Sequence, residues 1–109
     1  MDTVNEQTDY TLTLDFHDEL GLAITPSAAT YKIDDAWTDT AIKAVTAFTP
    51  VAHEYDLQIP YSLNKIVDIM NPVEERVVSV QYTYSGTKKG ASEHRYLVRN
   101  LSKVVTPVP

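Results

Sequence analysis

The sequence predicts an all-β, Greek-key sandwich, and three observations lead there. Short runs of alternating polar and apolar residues recur at 10–16, 54–59 and 76–84. Period-two alternation is what a strand with one buried face requires. Turn signals rich in Gly, Pro and Asp separate such runs at intervals of roughly 8–12 residues, the spacing of sandwich and barrel folds. Only one short segment, 61–70, has apolar residues at helical spacing.

The chain has 109 residues and a formal charge of −6. That length fits one domain able to bury a single core unaided. Cysteine is absent, so no disulfide, thiolate nucleophile or zinc–cysteine site can form. The negative charge opposes contact with a phosphate backbone, so nucleic acid is not an expected partner. No apolar run approaches transmembrane length, and no membrane contact is expected. The first nine residues are polar and acidic, unlike a Sec signal peptide. Synthesis and assembly inside a cell are expected, or else a domain excised with a start methionine.

Residues 1–7 read as a flexible N-terminal arm. In 10–16, Tyr10, Leu12, Leu14 and Phe16 face inward, and Thr11, Thr13 and Asp15 outward. Residues 21–25 could continue that strand after a bend, and Pro26 ends it. Residues 28–34 form the next strand, with Tyr31 and Ile33 inward. Asp34 and Asp35 begin a turn, because carboxylates there bond nearby backbone N–H groups. Trp37 follows and is expected as a core or rim anchor. The threonines of 38–49 favour a strand over a helix, with Ile42 and Ala44 on one face and Lys43 and Val45 on the other. Pro50 stops it. Residues 51–59 place Tyr55, Leu57 and Ile59 inward, and Pro60 closes the run. Leu63, Ile66, Val67 and Met70 then suggest a short helical or irregular crossover at 61–70.

The best-marked unit is a hairpin. Val78, Val80, Tyr82 and Tyr84 share one face, residues 85–90 form a glycine-bounded turn, and Tyr96 and Val98 return on the same inner face. The long crossover into it suits a Greek key better than a meander. The domain reading is an arm at 1–7, a β-sandwich at 8–101 and an extended tail at 102–109, the tail in polyproline II form. The architecture expected is immunoglobulin-like or fibronectin-III-like, without the disulfide.

Catalytic signals are weak. His17 neighbours Asp15, Asp18 and Glu19, but no paired metal-ligand spacing accompanies it, and a polar strand end explains it better. Asp34, Asp35 and Asp39 lack the spacing of a calcium loop and read as turn caps. There is no nucleophile elbow or phosphate loop. No cofactor and no enzymatic activity are expected. Candidate partner contacts are Trp37, Tyr61, Val77, Leu97, Leu101, Val104 and Val105. Tyr61 follows Pro60 outside any strand. Tyrosine suits half-wet interfaces. Val77, Leu97 and Leu101 fall on the outer hairpin face, where they either mark a partner surface or are covered by the crossover or the tail.

Four stretches, Ala29-Thr-Tyr-Lys-Ile-Asp-Asp35, Leu57-Gln-Ile-Pro60 with Asn64, Glu75-Arg-Val-Val-Ser-Val80 and His94-Arg-Tyr-Leu-Val-Arg-Asn-Leu101, together resemble small immunoglobulin-like virion proteins of tailed bacteriophages. These include capsid decoration and other auxiliary head or tail proteins. The resemblance covers residues 28–101 and rests on strand patterns, so it transfers no site residue. It implies a non-enzymatic structural role in the virion, assembled in the host cytoplasm. It also implies protein–protein contacts with the major capsid protein or neighbouring virion proteins, and a possible homo-oligomer. The alternative is a carbohydrate- or surface-binding sandwich, with Trp37 and Tyr61 as stacking platforms, or a tail-associated virion component.

Overall fold

A computed structural model describes residues 1–101 and shows an all-β sandwich. The strands are β1 (Asp2–Asn5), β2 (Tyr10–Asp15), β3 (Ala28–Asp35), β4 (Ala41–Phe48), β5 (Glu54–Ile59), β6 (Val73–Tyr84) and β7 (Lys88–Arg99). One sheet has five strands in the order β1-β7-β6-β3-β4, and the other pairs β2 with β5. β1 runs parallel to β7, and every other pairing is antiparallel. This is the immunoglobulin-like arrangement A′-G-F-C-C′ over B-E, without the disulfide.

The core follows from the alternation. β6 turns Val78 and Val80 inward, β7 adds Tyr96 and Val98, and β3 adds Ile33. Against them the small sheet places Leu14, Leu57 and Ile59, with Phe16 just beyond β2. Each fully buried side chain of this size contributes about 1.5–3 kcal/mol relative to exposure. Tyr96 also carries a polar group inward. Its hydroxyl donates to Asn64 Oδ1 (2.7 Å), and the Asn64 amide donates to the Thr8 carbonyl (2.8 Å). The crossover after β5 is thereby tied to the β1–β2 link. Burial pushes the Tyr96 hydroxyl up to about 12, so it remains a donor at neutral pH.

Several expectations need correction. Residues 1–7 are not an arm outside the sandwich. β1 lies on the sheet edge with Val4 paired to Val98 and buried, and Glu6 is buried after it. Residues 21–25 do not form a strand; only an isolated bridge joins His17 and Ala23. The β4 strand exists, but register shifts against β3 break its alternation. Ile42 and Lys43 are both half-buried, and Ala44 and Val45 both exposed. The crossover at 61–70 needs none: of the helical and irregular forms expected, it takes the irregular one, with a single 3-10 turn at Tyr61–Leu63. The extended tail predicted at 102–109 lies outside the described residues.

Gly90 is not part of the hairpin turn, which spans only Ser85 to Thr87 between the paired Tyr84 and Lys88. It sits within β7 opposite Tyr82, whose ring lies across it. A Cβ there would clash with Tyr82 Cζ. The ring has little room to yield, since it packs edge-on against Phe16 and its hydroxyl bonds the His17 carbonyl (2.9 Å). Gly90→Ala is expected to destabilise the domain by about 1–3 kcal/mol through overpacking, read from urea denaturation; an unchanged midpoint would show that the ring moves aside freely.

Candidate functional site

The site is built on three buried ionised side chains at one end of the sandwich. Arg76, Glu74 and Asp35 are in phase with the core residues of β6 and β3, so strand alternation drives them inward. All three are fully buried. Arg76 Nη1 donates to Asp35 Oδ1 (3.0 Å), and Nη2 donates to Glu74 Oε1 (3.0 Å) and to the Lys65 carbonyl (2.6 Å). Arg76 Nε has no partner among the described residues.

Each carboxylate also holds a loop. Asp35 Oδ2 accepts from the Thr38 hydroxyl (2.5 Å) and the Thr38 N–H (3.2 Å), which closes the β3–β4 turn carrying Trp37. Glu74 accepts from the N–H groups of Val67 (2.7 Å) and Asp68 (2.8 Å) and from the Asn71 amide (2.9 Å). Burial pushes the Glu74 carboxyl up. The bonds from Val67, Asp68, Asn71 and Arg76 outweigh that and hold it below its ordinary value.

These two loops expose the apolar residues. Trp37 is 56 % exposed, Ile69 62 % and Met70 82 %, with Val67 also open. Leu101 lies at the same end, its N–H bonded to Glu6 Oε1 (2.9 Å), while the Asn100 amide bonds the Ile69 and Asn71 carbonyls (3.0 Å each). Tyr61, 56 % exposed, follows β5 there, its N–H held by Asp9 Oδ1 (2.7 Å). Trp37 is thus a rim residue and not a core one. The structure brings three predicted contacts, Trp37, Tyr61 and Leu101, to one end. Val67, Ile69 and Met70 join them there; the helical spacing of the crossover concealed this, since only Leu63 and Ile66 pack against the core.

Val77 and Leu97 lie elsewhere, half-buried on the outer face of the large sheet. Val77 sits in register between Arg95 and Asp34, and Leu97 faces Glu75. Arg95 pairs with both Glu75 and Glu93, so charged groups flank the two apolar residues. Val104 and Val105 lie outside the described residues.

The acidic group around His17 does not converge. Asp18 caps the N–H groups of Leu20 and Leu22 (2.9 Å each), and Glu19 is taken by Lys88 and Tyr84. Hydrogen bonds from Lys88 and Tyr84 pull the Glu19 carboxyl down to about 2. Among the described residues no three metal-ligating side chains come together. A surface depression of about 500 Å³ between β3, β6 and β7 is lined by small and polar residues with one aromatic ring, including Ala28, Thr30, Gln81, Tyr82 and Lys89. No described helix is long and apolar enough to cross a membrane. No family model, no curated protein and no solved structure matches this chain.

The Glu74 shift has a definite sign. A folded-state value below the ordinary 4.5 means its ionised form stabilises the fold above that pH, and this contribution is lost as pH falls through the folded value. The melting temperature should therefore hold between about pH 7 and 5 and fall below about 4.5. Glu74→Gln should cost about 3 kcal/mol at pH 7, because the buried guanidinium loses part of its counter-charge, and its acid decline should be shallower. Parallel pH profiles for the two proteins would contradict the assignment.

Proposed function

We propose that the protein is a non-enzymatic structural component of a tailed-phage virion, bound to the capsid through protein–protein contacts made by the loop end. The observation that carries this is the gathering of exposed Trp37, Val67, Ile69 and Met70 on two loops held by one buried network. Exposed large apolar side chains gathered at one end of a folded domain are candidate partner contacts, and aromatic residues and methionine are enriched where such sites are driest. Pre-held loops lower the ordering cost of association. The resemblance of residues 28–101 to immunoglobulin-like virion proteins supplies the setting, with the major capsid protein or its neighbours as partners. The outer sheet face around Val77 and Leu97 is a secondary contact, because ion pairs interrupt it.

One observation favours a second reading. Trp37 and Tyr61 are both exposed, so each offers a ring for stacking on a sugar, as a carbohydrate-binding sandwich would use it.

Co-sedimentation with particles lacking the protein separates these. Met70→Asp and Trp37→Ala, shown folded by circular dichroism, should each weaken particle binding about tenfold or more, the loss typical of a central interface residue. Absence of the protein from purified virions by mass spectrometry would overturn the virion reading. Glycan-array binding lost in Trp37→Ala would establish the second.

A further inference from the structure

The small sheet is incomplete, and its open side has a definite chemistry. β5 pairs with β2 on one edge and with no described strand on the other. The Phe16 N–H donates to the His53 carbonyl (2.8 Å), which continues the β2–β5 ladder. Hydrogen-bonded pairs alternate in an antiparallel ladder. Tyr55, Leu57 and Ile59 therefore bond β2, while Glu54, Asp56 and Gln58 turn their backbone N–H and C=O groups outward. The far edge of β2 likewise pairs with no described strand, but there Tyr10 stacks on Tyr96 (4.7 Å) and its hydroxyl bonds Asp2 of β1 (2.6 Å), linking the two sheets. The flank beside β5 is aromatic. There Tyr55, Phe48 and Tyr31 touch one another, with centroids 5.0 and 5.7 Å apart, yet remain only half-buried.

The exposed face of this sheet carries Asp15, Glu54 and Asp56, and neither β2 nor β5 contains a lysine or arginine. We infer that the free edge of β5 is a strand-addition site for an extended segment of another protein, with basic residues alternating with apolar ones. The main chain would pair with Glu54, Asp56 and Gln58. Basic side chains would meet the carboxylates of Glu54 and Asp56 across the ladder, and apolar ones would cover Phe48 and Tyr55. A second copy is a poor donor. Pairing β5 with β5 sets carboxylates together; the basic strands β3, β6 and β7 are already paired on both edges, and β4, which has a free edge, offers a single lysine, Lys43, to the two carboxylates. The site runs along the flank of the sandwich, adjoining the loop end only past Ile59, and does not rest on the virion reading.

The test uses a fluorescent hexapeptide of alternating arginine and valine, titrated into the full chain. Bound peptide should slow amide exchange at Glu54, Asp56 and Gln58. Its affinity should fall about tenfold or more on raising salt from roughly 50 to 500 mM, as exposed charge pairs are screened. The double variant Glu54→Lys/Asp56→Lys should lose binding by a similar factor. Gln58→Pro, which keeps both carboxylates and the β2 ladder but removes one outward N–H, should also weaken it. Exchange protection mapping to β4 or the loop end, binding indifferent to salt, equal binding of a glutamate–valine peptide, or self-association through β5 in the absence of peptide would each overturn the inference. The first two readouts use the unaltered chain, so misfolding of a variant does not rescue the idea.

Discussion

The guanidinium of Arg76 is the constraint on which the upper architecture of this domain depends. It is buried with two carboxylates, and removing either would leave an under-compensated charge in the core. Such a network adds little net stability compared with apolar packing. What it adds here is geometry. Asp35 closes the β3–β4 turn, Glu74 gathers the N–H groups of Val67 and Asp68, and Arg76 joins the two through direct bonds to both. Two irregular segments far apart in sequence are thereby fixed to one point on β6.

That fixation explains an otherwise costly exposure. Ile69 and Met70 belong in a core by composition, and left to themselves would fold back onto the nearest apolar surface. The bonds from the preceding N–H groups to Glu74, with the Asn100 amide on the Ile69 carbonyl, hold the segment outward. The same logic applies to Trp37, whose turn is closed from beneath by Asp35. The domain therefore presents apolar side chains at an end where the backbone is well bonded, and its second open side, along β5, is acidic. These are chemically distinct surfaces, suited to different partners.

Much of the fold was legible in the sequence because alternation is a local property. β2, β3, β5, β6 and β7 all show it, and the core residues Leu14, Ile33, Leu57, Val78, Val80, Tyr96 and Val98 follow from it. β1 was not legible, since a four-residue strand with a single buried valine carries no periodic signal. The network was half legible. Glu74 and Arg76 share the parity of Val78 and Val80, and Asp35 that of Ile33. Charged residues are ordinarily exposed, so parity alone does not mark them as core residues. The pairing of Arg76 with Asp35 was not readable at all, because it depends on the register of β3 against β6 across 41 positions. At the loop end, Trp37 is marked by residue type, Tyr61 by its place after Pro60 outside a strand, and Leu101 by the parity of the hairpin. Val67, Ile69 and Met70 were hidden, because a tertiary bond to Glu74 and not local periodicity decides which way they point.

The central claim is that one buried network couples the two apolar loops. Site-resolved amide hydrogen exchange on Asp35→Asn tests it most directly, since Asp35 bonds the β3–β4 turn and Arg76 and reaches the 65–71 segment through Arg76. The account predicts faster exchange at Thr38 and, through Arg76 and Glu74, at Val67 and Asp68 as well, with β2 and β5 unchanged. Faster exchange confined to residues 36–40, with Val67 and Asp68 as protected as before, would contradict it.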